Sequence, residues 1–239
     1  MTVLRALSLD LDDTLWPIAP VIEDAETQLH GWLSAHLPAV AAAWPPPAMR
    51  GLRERIARHC PEIAHDFSAQ RRLSLAHALR TCAEDEAHAE TAFEVFFTAR
   101  NRVRCYPDAP LALARLSALL PLASLSNGNA DLVRIGLGAH FSVRITAREA
   151  GVAKPDARIF MLLCRRLDCP PQQVLHVGDD PLLDVDGARA AGLRAAWLNR
   201  DGRAWAGPGP APELVFTDLG ELADWCEQHL AAAAPARSA

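Results

Sequence analysis

The sequence lacks the features that would place it in a specialised class of protein. No apolar run approaches the roughly 20 residues that a membrane-spanning helix needs. Disordered proteins are poor in apolar residues, whereas 50% of the 239 residues of this chain are hydrophobic. Its Leu-rich start leads directly into Asp residues instead of a signal-peptide cleavage site. We expect a soluble cytoplasmic protein with one large domain or two smaller ones.

Excess charge of one sign and paired cysteines are also missing. The net charge is only -5 and the basic residues are scattered, so no surface is predicted for nucleic acid or an anionic membrane. The cysteines form no CxxC pair and have no histidines at zinc-binding spacing, so we expect reduced thiols in the core. These cysteines are Cys60, Cys82, Cys105, Cys164, Cys169 and Cys226. The expected partner is a small molecule, bound by a monomer or a homodimer.

Two kinds of pattern divide the chain. Beyond about residue 105, short apolar strands alternate with amphipathic helices, among them a helix predicted over "ADLVRIGL" at 130–137. This alternation is typical of a parallel sheet covered on both faces. Residues 18–104 instead carry helical spacing without a strand pattern. We predict a doubly wound, Rossmann-like α/β core from 1–17 and 105–232, an inserted all-helical cap at 18–104, and a frayed tail at 233–239.

Polar segments follow four of the predicted strands, namely "DLDDT", "SNGN", "AKPD" and "GDDPLLD". In a doubly wound sheet, ligands bind beyond the carboxyl ends of the strands, so these segments should meet at one edge. They supply carboxylates, a hydroxyl with turn amides, and one cation. The side chains are Asp10, Asp12, Ser126, Asn127, Lys154, Asp179, Asp180 and Asp184.

This collection of groups favours phosphate chemistry. Hard oxygen ligands at one point suit Mg²⁺, which leaves coordination positions for phosphate oxygens. Such a metal, with Lys154, would explain why a Leu strand ends in crowded carboxylates. A carboxylate can attack phosphorus once the negative charge of both partners is neutralised, and a second carboxylic acid can protonate the departing alkoxide. Asp10 and Asp12, two apart in an extended segment, face the same way, whereas Asp13 points away.

The same segments resemble the four motifs of the haloacid dehalogenase-like hydrolase superfamily. DxDxT corresponds to Asp10, Asp12 and Thr14, a serine to Ser126, a lysine before proline to Lys154, and GDxxxxD to Gly178, Asp179 and Asp184. Each motif is weak alone, but four in order at predicted strand ends are specific. The sequence departs from its relatives at Leu9, where Phe is usual, and at Asp180, which leaves open whether it or Asp179 would touch a metal.

The resemblance implies a role for each position. Asp10 would be the nucleophile and a Mg²⁺ ligand, while Asp12 would be the general acid and base and give its backbone carbonyl to the metal. Lys154 would bridge nucleophile and phosphate. Ser126, with the amides near Asn127 and Gly128, would hold the phosphoryl oxygens, and Thr14 and Trp16 complete the predicted substrate site. Asp179 would bind the metal, and Asp184 would support it or orient Lys154.

The function implied is a Mg²⁺-dependent phosphatase that acts on a small phosphomonoester through an aspartyl-phosphate. A haloacid dehalogenase, a phosphomutase or a non-catalytic binding protein on the same fold are the alternatives. Asp12 disfavours a dehalogenase, because halide leaves without a proton and those relatives lack an acid there and need no metal.

The stretch "LDLDDTLWPIAPVIEDAE" further resembles phosphatases of flavin mononucleotide and of the phosphoribityl-pyrimidine intermediate of riboflavin synthesis. In such an enzyme, Trp16 and Ile18 could pack against a flat ring. The nine histidines show no paired metal-binding spacing, so none is predicted to be a ligand, including His176 beside the site.

Overall fold

The computed structural model describes residues 3–233, and its strands form one parallel sheet. The strands are β1 (Ala6–Leu9), β2 (Leu122–Ser126), β3 (Val143–Thr146), β4 (Val174–Gly178), β5 (Arg194–Leu198) and β6 (Leu214–Phe216). They pair in the order β3, β2, β1, β4, β5, β6, with every pair parallel. The predicted doubly wound sheet is therefore confirmed.

The composition of β1 fits its central position in the sheet. All its residues are buried, as expected for a parallel strand with both faces covered. Leu7 pairs with Leu122 of β2 on one side and with Leu175 of β4 on the other. Because strand order reverses around β1, its carboxyl end opens into the crevice where ligands bind in this fold class.

Helices occupy the remaining segments. They are α1 (Ile18–His36), α2 (Pro38–Ala43), α3 (Pro46–His59), α4 (Phe67–Thr81), α5 (His88–Arg100), α6 (Ala109–Leu119), α7 (Leu132–Ile135), α8 (Ala147–Ala150), α9 (Ala157–Leu167), α10 (Gly187–Ala190) and α11 (Leu219–Ala233). A π-helical turn, Pro181–Asp186, precedes α10. Residues 44 and 45 lie between α2 and α3, and Pro46 and Pro47 form the first turn of α3, where proline is tolerated.

The chain forms two compact units. The α/β unit comprises Met1–Trp16, Cys105–Gly128 and Gly136–Ala239, and the helical unit comprises Pro17–Arg104 and Asn129–Ile135. Residues 129–135 thus group with the helices, not with the α/β core to which the sequence pattern assigned them. The helix predicted at 130–137 is only α7, because Gly136 has a φ of 88° that an α-helix cannot continue.

Each unit has its own apolar core. In the α/β unit, Ile145, Phe160 and Val174 belong to one buried cluster between sheet and helices. In the helical unit, Leu29, Leu75 and Phe93 belong to another. Most of the predicted tail, 234–239, lies outside the described residues, while Ala233 still belongs to α11.

Of the six cysteines, which are free in the described chain, Cys164, Cys169 and Cys226 are buried and the other three are half-buried. The predicted location in the core therefore holds for three of them. Among residues 3–233, no helix is both long and apolar enough to cross a membrane.

Candidate active site

Asp10 follows β1 directly at the carboxyl edge of the sheet. Its amide donates to the Val177 carbonyl at 3.0 Å, which continues the pairing of β1 with β4 beyond the last strand residue. The residue is 8% exposed. A buried carboxylate is costly unless a cation or hydrogen-bond donors compensate its charge, so the neighbours of Asp10 decide what it can do.

Lys154 is the main compensating group. Its buried ammonium donates to Asp10 Oδ1 and to Asp184 Oδ1, both at 2.6 Å. Burial alone would lower the pKa of Lys154, but these two carboxylates raise it above its ordinary value, so the lysine stays charged. The fold thus brings the predicted nucleophile and its cation together across 144 residues of chain.

The side chain of Asn127 holds the backbone of Lys154. Its Oδ1 accepts from the Lys154 amide at 2.7 Å and its Nδ2 donates to the Lys154 carbonyl at 3.0 Å. This use of the side chain was not foreseen from the sequence, which assigned only the nearby amides to phosphoryl binding. The residue after β2 therefore fixes the loop that carries the lysine.

Ser126 and Gly128 belong to the loop that the sequence predicts for phosphoryl binding. The Gly128 amide donates to Ser126 Oγ at 3.0 Å, so this amide is already engaged in the structure. The Ser126 hydroxyl accepts that bond and keeps its own proton, which leaves it able to donate to a phosphoryl oxygen.

Three carboxylates gather beside the lysine. Asp10, Asp179 and Asp184 each offer one oxygen, and these oxygens all lie within 4.8 Å of one another. Gly178 permits the approach of Asp184, because a Cβ at this glycine would lie 2.3 Å from the Asp184 carboxyl carbon. Asp180 points elsewhere, since its Oδ1 accepts from the amides of Leu182 and Leu183 at 2.8 Å and so caps the π-helical turn. Of the adjacent pair, Asp179 is therefore the residue in the cluster.

The cluster carries more negative charge than its protein neighbours neutralise. Burial raises the pKa of Asp10 well above its ordinary value, with Lys154 opposing and Asp184 adding to the rise. Burial and the nearby charges of Asp184 and Asp13 raise the pKa of Asp179 to about 7. Burial has the same tendency at Asp184, but Lys154 and His176 outweigh it and hold that pKa below its usual range. The single positive charge of Lys154 therefore does not neutralise the three carboxylates.

This donor set fits Mg²⁺. Oxygen atoms from three carboxylates within 4.8 Å of one another are the hard ligands this ion prefers, and the two raised pKa values indicate that a further cation would stabilise the ionised form. Asp10, Asp179 and Asp184 could hold the ion with their carboxylates.

Asp12 and Trp16 form a pair on the turn after β1. The Trp16 indole donates to Asp12 Oδ1 at 2.8 Å, and the Trp16 ring is completely buried. The predicted packing of Trp16 against a substrate ring is therefore wrong for this structure, because no face of the indole is open. Trp16 instead fixes the orientation of the Asp12 carboxyl group.

Thr14, predicted to belong to the substrate site, lies next to Asp179. It is fully buried, and its hydroxyl points to Asp179 Oδ1 at a distance of 3.4 Å. This contact makes Thr14 a neighbour of the acidic cluster.

His176 is a part of the site that the sequence pattern did not reveal. It lies on β4, fully buried, with Nε2 at 3.1 Å from Asp184 Oδ1 and Nδ1 at 3.0 Å from Ser8 Oγ. Burial lowers its pKa, so the ring is neutral. The carboxylate can only accept, so Nε2 carries the proton and Nδ1 accepts from the serine. The available signal was a histidine within an apolar strand, eight residues before Asp184.

The known proteins that are similar to this chain belong to one family. Residues 4–192 match the haloacid dehalogenase-like hydrolases. The Escherichia coli strain K12 protein 5-amino-6-(5-phospho-D-ribitylamino)uracil phosphatase YigB is 32% identical over 199 residues, which are 82% of this chain and 83% of that protein. Phosphoserine phosphatase of Thermus thermophilus is 40% identical over 135 residues, 54% of either chain.

A solved structure is also similar over nearly the whole chain. The 2-haloacid dehalogenase from Pseudomonas syringae pv. Tomato DC3000 superposes with a TM-score of 0.88 at 34% identity, covering 97% of this chain and 100% of that one. With the four motifs at one sheet edge, these matches show that the chain belongs to the haloacid dehalogenase-like hydrolases. Because both phosphatases and a dehalogenase are similar to it, family membership alone leaves the reaction open.

Proposed function

We propose that this hydrolase is a Mg²⁺-dependent phosphatase that cleaves a small organic phosphomonoester through an aspartyl-phosphate on Asp10. The observation that carries the proposal is the excess of buried negative charge, three carboxylates around a single lysine ammonium. Such a site is unsuited to a metal-free reaction, because without another cation one of its carboxylates tends to take up a proton. A divalent cation would neutralise this excess and leave coordination positions for the oxygens of a phosphoryl group.

The side chains divide the work between them. Asp10 attacks phosphorus. Lys154 holds the Asp10 carboxylate and binds the incoming phosphoryl oxygens, and the Ser126 hydroxyl donates a hydrogen bond to a phosphoryl oxygen. Asp12 gives a proton to the departing alkoxide and then removes one from the water that hydrolyses the aspartyl-phosphate. Mg²⁺, held by Asp10, Asp179 and Asp184, would shield the negative charge of nucleophile and phosphate from each other.

A haloacid dehalogenase is the second candidate, supported by the 2-haloacid dehalogenase that superposes over nearly the full chain. The pair of Asp12 and Trp16 argues against it. The Trp16 indole donates to Asp12 Oδ1 at 2.8 Å and so orients a carboxyl group near the nucleophile. Halide leaves without a proton, so a dehalogenase has no need of a general acid at this position.

For the substrate, we propose a phosphoribityl compound or flavin mononucleotide. The similarity to the 5-amino-6-(5-phospho-D-ribitylamino)uracil phosphatase over 82% of the chain supports this class. Stacking of a substrate ring on Trp16 does not support this class, since the indole is completely buried.

Mg²⁺ is expected to stabilise the fold as well as to switch on activity. Without substrate, the ion should raise the unfolding temperature, because it binds the folded state and relieves repulsion among the clustered carboxylates. Chelator should abolish phosphatase activity and Mg²⁺ should restore it, while Ca²⁺ should substitute poorly because its longer bonds and looser coordination misplace the reacting groups.

Asp179→Asn tests which residues bind the ion, with Asp156→Asn as its control. Asp179 belongs to the cluster, whereas Asp156 caps α9 through a 2.9 Å bond from the Arg158 amide. The first variant should lose most of the Mg²⁺-dependent thermal shift and the second should keep it. A wild-type unfolding temperature insensitive to Mg²⁺, or full activity in chelator, would contradict the metal assignment.

Asp12→Asn is expected to separate substrates by leaving group. Asparagine can still accept from the Trp16 indole, so the change removes the acid with little structural disturbance. Phosphorylation of the enzyme by alkyl phosphates should slow by roughly 10² to 10⁴, whereas p-nitrophenyl phosphate should lose less than about tenfold in this step, since p-nitrophenolate leaves unprotonated.

Rapid-quench measurement of p-nitrophenol checks this expectation. A burst close to the enzyme concentration, followed by slow turnover, is expected because the same residue activates the attacking water. Trp16→Phe keeps the acid but removes its donor, so it should retain more activity on alkyl phosphates than Asp12→Asn. Equal losses with both classes of leaving group in Asp12→Asn would show that Asp12 is not the general acid.

A further inference from the structure

A second polar cluster lies entirely within the helical unit and contains none of the residues assigned above. Glu26 of α1 accepts with one oxygen, Oε1, from Arg53 of α3 at 2.6 Å and from Arg71 of α4 at 2.9 Å. The side chains of Glu26 and Arg71 are only 10% and 7% exposed. One carboxylate thus faces two guanidinium groups, which leaves a net positive charge in a largely buried setting.

Both arginines also keep a donor that is not used. Nη1 of Arg53 and Nη1 of Arg71 are buried and have no hydrogen-bond partner among the described residues. Buried donors are nearly always paired in proteins, so two unpaired ones on adjacent cations point to an acceptor that binds there. Burial lowers the pKa of Arg71 to about 10, and repulsion from Arg53 adds to the effect, which is further evidence of uncompensated positive charge.

These arginines line a pocket of about 230 Å³. We call it the two-arginine pocket, and its lining is Ile22, Arg53, Phe67, Gln70, Arg71, Phe96 and Asn129. The Arg71 guanidinium lies 3.2 Å from the centre of the Phe96 ring, and Phe67 is 48% exposed, which is unusual for an aromatic side chain. A cationic wall therefore adjoins an apolar, partly aromatic one.

We propose that the two-arginine pocket binds the carboxylate or phosphate group of a small organic anion. The anionic group would accept from Arg53 and Arg71 in the bidentate fashion that guanidinium groups favour. The apolar part of the same molecule would pack against Phe67, Phe96 and Ile22. The planar guanidinium stacked on Phe96 is held in place before the anion arrives, which lowers the cost of binding.

Benzoate is the probe, with benzamide as a neutral control of nearly the same shape. Titration calorimetry on the purified full chain should show one benzoate per chain, bound at least tenfold more tightly than benzamide. Equal affinities for the two compounds would overturn the proposal, because the arginines would then contribute nothing.

Charge-changing variants in the cluster should move the affinity in opposite directions. Arg71→Gln should weaken benzoate binding at least tenfold, whereas Glu26→Gln should strengthen it, because the competing carboxylate is removed. Arg72→Gln, on the same helix but paired with the exposed Glu90, should leave it unchanged.

A purely structural role for the cluster would not produce this opposition, since loss of structure would weaken binding in both variants. Arg53→Gln serves as a second test should Arg71→Gln fail to fold, and it should also weaken binding at least tenfold. Benzoate binding unaffected by either arginine substitution would contradict the assignment.

A kinetic arm, which rests on the proposed phosphatase function, distinguishes an anionic group of the substrate from a separate anion. Asn129 of the pocket directly follows Gly128 in the sequence, which makes the substrate worth testing. O-phosphoserine and O-phosphoethanolamine differ by one carboxylate. If the pocket binds the carboxylate of the substrate, Arg71→Gln should raise KM for O-phosphoserine but not for O-phosphoethanolamine. If KM changes equally for the two compounds, the pocket binds a separate anion. Absence of hydrolysis would count against the phosphatase, while calorimetry would still decide the pocket.

Discussion

Asp10→Asn is expected to reduce phosphatase turnover by more than about a thousandfold while the protein stays folded. The amide is a nearly isosteric but uncharged group that cannot form the phosphorylated intermediate. The fold should tolerate it because the carboxylate is buried beside Asp184 and Asp12, which both raise its pKa. Removing one of these like charges offsets the partial loss of the bond from Lys154. Steady-state assays, with mass spectrometry to exclude deamidation, measure the loss.

Asp13→Asn is the matched control, because it makes the same chemical change on the same turn. Asp13 has a φ of 58°, a left-handed conformation that asparagine tolerates well. Its loss of activity should be far smaller than that of Asp10→Asn, because Asp13 lies outside the acidic cluster and affects Asp179 through its charge. Residual activity of Asp10→Asn above about one thousandth, with no aspartate detectable, would show that Asp10 is not the nucleophile.

Lys154→Met is expected to be nearly as damaging, with a loss of roughly 10² to 10³ in kcat. The ammonium donates to Asp10 and Asp184 at 2.6 Å each, so its removal leaves two buried carboxylates without their shared cation. Breaking a buried ion pair costs about 3 to 5 kcal/mol, so the unfolding free energy should fall as well. Mg²⁺ should recover part of the stability but little of the activity, since the metal cannot take the position of the lysine.

Lys154 is also the only lysine in the sequence, so its burial can be checked by chemical modification. Reductive methylation of the unfolded chain should modify Lys154 and the terminal amine, whereas in the folded protein the buried ammonium should react far more slowly.

Urea denaturation of Lys154→Met, compared with Asp10→Asn, measures the difference in unfolding free energy between the two variants. Equal stability of the two variants would contradict the view that this lysine compensates both carboxylates.

Much of the architecture could be predicted because its signals are local. Runs such as "LASL" and "QVLHV" are short, apolar and bounded by turn residues, so β2 and β4 follow from the pattern. Because parallel strands end at one edge, the meeting of Asp10 with Lys154 followed as well. The helix predicted at 130–137 was too long, since an apolar period cannot show that Gly136 adopts a left-handed φ.

The details of the site depended on pairings between distant residues. Trp16 could not be distinguished from an exposed aromatic by sequence, because its burial and its bond to Asp12 arise from the folded turn. Asn127 and His176 likewise act on partners 27 and 8 residues away. Asp180 resembles a metal ligand in the sequence, and only the geometry shows that it caps a helical turn. The unpaired arginine donors of the helical unit leave no local pattern at all.

The reaction itself is tested most directly by assaying phosphate and halide release on the same purified protein. The substrates are flavin mononucleotide, a phosphoribityl compound and L-2-chloropropionate, each with Mg²⁺ and with chelator. We expect phosphate to be released only when Mg²⁺ is present and no halide to be released in either condition. Halide release in chelator, with no phosphate released from any phosphomonoester, would contradict it.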